Sequence, residues 1–160
     1  MASFSPGPTL QSKRCDLTAA PLPNGNILVI GGSTGSTHLN TTELYNPQTN
    51  QFSPGPTLQT KRFGLTAAPL PNGNILVIGG HDGSNRLNTT EIYNPQTNQF
   101  TPGPNLQTKR AGPTAAPLPD GNILVIGGSD GSNSLNTTEI YTTEINNLVG
   151  FFVRTFDFPH

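Results

Sequence analysis

Apolar residues in this chain come in runs of four or fewer, punctuated by glycine, proline and asparagine, and the same arrangement returns three times. In the middle copy, Leu65-Thr66-Ala67-Ala68-Pro69-Leu70 predicts a first strand, a. Asn72-Gly73 then predicts a type I′ hairpin, whose two central positions both need positive φ. Asn74-Ile75-Leu76-Val77-Ile78 is strand b, an uninterrupted β-branched run suited to burial on both faces. Gly79-Gly80 and Asp82-Gly83-Ser84-Asn85 form the b–c loop, Asn88-Thr89-Thr90-Glu91-Ile92-Tyr93 is strand c, and Asn94-Pro95 closes it. Gln99-Phe100-Thr101-Pro102 is strand d. No segment has a helical period, so the predicted class is all-β.

The prolines support this assignment, because proline is tolerated at sheet edges and expelled from central strands. Pro69 falls in strand a and Pro102 in strand d, while b and c have none. The small Thr66-Ala67-Ala68 suits a strand packed where several sheets converge. The spacing is constant: Phe4, Phe52 and Phe100 lie 48 apart, as do Gly31-Gly32, Gly79-Gly80 and Gly127-Gly128, and Tyr45, Tyr93 and Tyr141. Such a period signals a repeat architecture of stacked sheets. The copies are 4–51, 52–99 and 100–147; the third degrades at its end, leaving 148–160 as a non-repeat tail.

Charge narrows the class of partner. Eight Lys and Arg against nine Asp and Glu give a net charge of −1, too little cationic surface to hold nucleic acid or an anionic membrane. The longest apolar run, Ile27-Leu28-Val29-Ile30, is far short of the roughly 20 residues a spanning helix needs, so a soluble protein without a membrane partner is expected. Residues 1–6 show neither a basic nor an apolar leader region, which leaves the compartment open. Cys15 is the single cysteine, so no intrachain disulfide or multi-cysteine zinc site is available.

Several residues recur in register. Arg14, Arg62 and Arg110 precede strand a, and Glu43, Glu91 and Glu139 lie in strand c. A buried Arg–Glu pair would leave no charge orphaned, a structural role preferred here over a basic ring for anionic ligands. Tyr45, Tyr93 and Tyr141 read as core residues with a hydrogen-bonded hydroxyl. Asn40-Thr41-Thr42, Asn88-Thr89-Thr90 and Asn136-Thr137-Thr138 fit the glycosylation pattern, although a strand start would use the same residues. The copies differ most at the start of strand a (Cys15 and Asp16, Phe63 and Gly64, Ala111 and Gly112) and in the b–c loop. Loop variation on a fixed scaffold is where binding specificity usually sits, though drifting solvent positions would look the same. The candidate contact residues are His38, His81, Asp82, Arg86 and Asp130.

Catalytic motifs do not emerge. The three histidines, His38, His81 and His160, show no metal-ligand spacing, and there is no nucleophile elbow or phosphate loop. No cofactor and no enzymatic activity are expected.

An apolar strand ending in Gly79-Gly80, then Glu91, Tyr93, Asn94-Pro95 and the outer aromatic Phe100, resembles the kelch repeat. The resemblance covers residues 4–141 and departs in placing Phe where the family usually has Trp. It implies four-stranded blades of a β-propeller, usually five to seven to a ring. Kelch-fold copper enzymes use Tyr and His with a Tyr–Cys crosslink; here the tyrosines all occupy the repeat position and Cys15 occurs once, so that chemistry does not transfer.

Three blades would form an open arc with two apolar faces, short of the four to eight blades of a closed propeller. Because the chain runs d-abc three times, a homodimer could close a six-bladed ring, the first strand of each copy completing the last blade of the other. Alternatively, Asn147-Leu148-Val149-Gly150-Phe151-Phe152-Val153 supplies that strand, or the chain is a fragment. The functional expectation is a non-catalytic protein-binding scaffold working through its b–c loops. The alternatives are a glycan-binding or sugar-acting protein with a site in the axial channel, and a self-assembling repeat, amplified or engineered, with no separate activity.

Overall fold

A computed structural model describes residues 1–143 as eleven short antiparallel strands in three sheets. The first sheet holds β1 (Thr18–Pro21), β2 (Ile27–Ile30), β3 (Thr42–Asn46) and β4 (Gln51–Pro54). The second holds β5 (Thr66–Pro69), β6 (Ile75–Ile78), β7 (Thr90–Asn94) and β8 (Gln99–Pro102). The third has β9 (Thr114–Pro117), β10 (Ile123–Ile126) and β11 (Thr138–Tyr141), with no fourth strand among the described residues. In every sheet the strands follow chain order, so each blade is a meander of strands a, b, c and, in the first two, d. The prolines of β1, β4, β5 and β8 accordingly sit on edge strands.

The inner edges β1, β5 and β9 lie against one another, and two apolar clusters fill the junctions between blades. Ala20, Leu22, Leu28 and Ile30 of blade 1 meet Leu58, Ile75, Val77, Tyr93 and Phe100 at the first junction. Ala68, Leu70, Leu76 and Ile78 of blade 2 meet Ile123 and Val125 at the second. Alternate residues of strand b thus face opposite neighbours, as the two-residue period of a strand demands. Burial along the three b strands follows from position in the array. Middle strand β6 is buried at all four residues, whereas in β2 it is Ile27, facing away from blade 2, that loses cover. In β10 the exposed residue is Ile126, at 39% against 0% for its counterpart Ile78.

One local expectation is corrected. The a–b turn is not type I′, because Asn72 lacks positive φ and only Gly73, at +89°, is left-handed. Gly73 N–H donates to the Leu70 carbonyl and Leu70 N–H to that of Asn74, giving a three-residue loop with Pro71 at the first corner. Proline fixes φ near −65°, which selects a type I turn followed by a left-handed glycine. Phe4-Ser5-Pro6-Gly7-Pro8, expected to complete the last blade of a second copy, forms no strand within its own chain. The expected outer strand from Asn147 onward lies outside the described residues.

Candidate functional site

Each blade is pinned by a buried ion pair that links its entry segment to strand c. In blade 2, Arg62 Nε donates to Glu91 at 2.8 Å, its Nη1 to the Gly79 and Thr89 carbonyls, and its Nη2 to Thr89 Oγ1. Glu91 also accepts from the Gln59 and Thr60 amides. Arg14 with Glu43 and Arg110 with Glu139 repeat this geometry at 2.9 Å. The three arginine side chains are 1% exposed, so they offer no cationic surface to an anion. Glu139 differs from its counterparts, at 14% exposure against 2% for Glu91.

The repeated tyrosines reach a turn that sequence reasoning passed over. Tyr45 and Tyr93 donate their hydroxyls to Asn50 Oδ1 and Asn98 Oδ1, both at 2.8 Å. Those asparagines have φ of 56° and 54°, the left-handed region that asparagine tolerates better than most residues. Burial raises the Tyr93 hydroxyl pKa above its ordinary value. The available signal was the Asn-Pro-Gln-Thr-Asn spacing itself. Tyr141 packs at the edge of the second cluster. The second threonine of the sequon triplets is likewise occupied: Thr42 and Thr90 donate their hydroxyls to the Pro56 and Pro104 carbonyls.

The double glycines join one blade to the next. Gly32 N–H donates to the Arg62 carbonyl and Gly80 N–H to that of Arg110, both at 2.8 Å. A Cβ at Gly31 or Gly79 would collide with those same carbonyl oxygens, and both residues lie near φ +61°. At Gly127 a Cβ would meet only the Leu135 carbonyl, at 3.4 Å, since no blade follows among the described residues. A second set of bonds runs from Gly64 N–H to Asp16 and from Gly112 N–H to Gly64. These three residues share a left-handed φ, strained for Asp16 and free for glycine.

The candidate contact residues gather along the b–c loops, most of them already engaged. His38 of blade 1 stacks on Phe63 of blade 2, ring centroids 4.3 Å apart, and Phe63 is 4.9 Å from the His81 ring. His81 Nδ1 accepts from Gly83 N–H. Asp82 Oδ1 caps the Ser84 and Asn85 amides, and Asp130 Oδ1 those of Ser132 and Asn133. The Asn85 and Asn133 amides are the largest cause holding the respective carboxyls below their ordinary pKa. Arg86 lies over Gly131 and adds a weaker Coulombic pull on Asp130. Among the described residues no group of three His, Cys, Asp or Glu is placed to hold a metal ion.

A groove of about 600 Å³ runs beside β11, lined by Leu76, Ile78, Leu106, Val125, Ile140 and Tyr141 among others. Ile140 is 59% exposed there.

Four-stranded meanders, glycine-bonded side by side with their a strands innermost, define a β-propeller repeat protein. The kelch motif matches residues 14–59, 62–107 and 110–147, most of the chain. The protein therefore belongs to the kelch-repeat family, whose members are in general non-catalytic β-propeller modules for protein interaction. No curated protein matches the chain.

Proposed function

We propose that this chain is a non-catalytic protein-interaction module, closed into a six-bladed ring by a second copy and presenting its b–c loops on one rim. The observation that carries the reading is the complementarity of its two end faces. The outward face of blade 3 bears the residues that blades 1 and 2 use toward their successors: Gly127-Gly128 and Ile126 stand where Gly79-Gly80 and Ile78 stand. Blade 1 bears on its outward face what blades 2 and 3 use toward their predecessors. Its Arg14 carbonyl matches those of Arg62 and Arg110, and Ile27 and Val29 match Ile75 and Val77. Blade 3 of each copy therefore fits blade 1 of the other, and two such junctions related by a two-fold axis close the assembly. Exposed apolar surface such as that of Ile126 on blade 3 favours association.

Light scattering on the full chain tests the reading, with an expected mass twice the 16.9 kDa of one chain. Gly127→Ala provides the internal control. Its added methyl is tolerated within the chain apart from about 1–2 kcal/mol of left-handed strain, but in a closed ring it would strike the Arg14 carbonyl of the other copy. The expected result is a folded monomer with unchanged far-ultraviolet circular dichroism. A wild-type chain that stays monomeric at tens of micromolar, or a Gly127→Ala chain that pairs normally, overturns the proposal.

A further inference from the structure

We propose that the groove beside β11 seats residues Phe4-Ser5-Pro6 of the second copy as the missing outer strand of blade 3, with Phe4 beside Tyr141, Ser5 beside Ile140 and Pro6 beside Glu139. The proposal rests on the two-copy ring above and specifies the contact that completes it.

The register comes from the intact blades. In blade 1, Phe52 pairs with Tyr45, Ser53 with Leu44 and Pro54 with Glu43, and blade 2 repeats the pattern with Phe100, Thr101 and Pro102. Residues 4–11, Phe-Ser-Pro-Gly-Pro-Thr-Leu-Gln, are identical to residues 52–59, which supply the outer strand of blade 1 and the crossing to blade 2. Phe4 is fully exposed within its own chain.

The groove has the shape of the outer strand that blade 3 lacks among the described residues. At the first junction the Phe100 ring lies 5.2 Å from that of Tyr93 and shares a cluster with Leu28, Ile30, Leu58 and Val77. One repeat later the corresponding residues, Leu76, Ile78, Leu106, Val125 and Tyr141, line the groove instead. Tyr93 and Leu58 are buried, whereas Tyr141 and Leu106 are half-buried. The raised exposure of Glu139 fits the same absence, since Pro54 and Pro102 lie beside Glu43 and Glu91.

The chain also leaves β11 differently from the way it leaves β3 and β7. There, Asn46 and Asn94 cap the turn through Oδ1 and are followed by proline. Here the pair is Thr142-Thr143, and the Thr143 N–H, a donor that proline lacks, bonds to Asn122 Oδ1 at the start of β10.

The test uses two full-length chains in a Cys15→Ser background, one carrying Ser5→Cys and the other Ile140→Cys, mixed and treated with a short bis-maleimide. A single chain carrying Leu44→Cys and Ser53→Cys, the same register within blade 1, shows that the linker reaches. The expected product is a covalent heterodimer on a denaturing gel, and Phe4→Ala should weaken pairing about 10- to 100-fold, the effect of truncating an aromatic anchor. A dimer by light scattering without the 5–140 crosslink overturns strand exchange while leaving the ring, and means that another segment, such as the chain's own tail, fills the groove. A monomer by light scattering overturns both.

Discussion

Replacing Glu91 with alanine removes the carboxylate from the most enclosed ion pair among the described residues. The lost group accepts Arg62 Nε at 2.8 Å and the Gln59 amide at 2.7 Å, with a longer bond from Thr60 at 3.4 Å. The guanidinium keeps its carbonyl and hydroxyl partners on Gly79 and Thr89, which satisfy hydrogen bonds without cancelling its charge. Breaking a buried pair from one side costs about 3–5 kcal/mol, because the surviving charge stays desolvated. A folded domain has only about 5–15 kcal/mol in hand, so the substitution should consume about a fifth of the stability at the least. Glu139→Ala should cost less at concentrations where the chain is a monomer, since water already reaches that carboxylate. Urea unfolding followed by circular dichroism measures both. The double substitution Arg62→Met with Glu91→Leu should recover most of the loss, because it removes the orphaned charge along with its partner. A Glu91→Ala cost under about 1 kcal/mol, or a Glu139→Ala cost exceeding it, refutes this account.

Two further predictions concern turns. Asn98→Ala puts an ordinary Cβ residue at φ 54° and strands the Tyr93 hydroxyl, so it should cost about 1–3 kcal/mol, while Asn98→Gly should cost less; equal unfolding midpoints would refute the clamp. Asp82 and Asp130 have folded pKa values below the unfolded one, so the unfolded state binds more protons and their contribution is present above the unfolded pKa and lost as pH falls through the folded one. In an acid titration by NMR, the Ser84, Asn85, Ser132 and Asn133 amides should shift below the ordinary carboxylate range. The Ser36 and Thr37 amides, capped by the Thr34 hydroxyl, should not.

Strands were readable from the sequence to within two residues, because each carries its own evidence: β-branched runs for b, edge prolines for a and d, a glycine or Asn-Pro stop after b and c. The a–b turn was misread although Pro71 was in plain view, since Asn-Gly admits two hairpin types and the preceding residue chooses between them. What one copy could not reveal was anything requiring a neighbour. The need for glycine at 31 and 79 comes from the arginine carbonyl of the next blade, some thirty residues on in the chain. The bonds linking Asp16, Gly64 and Gly112 likewise exist only between copies, so their variable side chains looked unconstrained.

That dependence changes how the variable rim is to be read. Position 38 in the first copy, 86 in the second and 134 in the third hold His, Arg and Ser. Each of the first two reaches over the following blade: a Cβ at Gly83 would lie 2.6 Å from His38 Cδ2, and one at Gly131 would lie 3.0 Å from Arg86 Cδ. The position beneath varies in step, Phe63 under His38 where the rings stack and Ala111 in the blade that Arg86 overlies. Differences between copies are thus shared between adjacent blades, and a flat ring in one loop is answered by a flat ring in the next. A partner that docked by displacing His38 or Arg86 would first have to open a junction, whereas the hydrogen bonds of Asp82 and Asp130 run through Oδ1 to their own loops. If the rim binds a partner, the carboxylates are the cheaper handles, and the His–Phe stack is better understood as part of the junction between the first two blades.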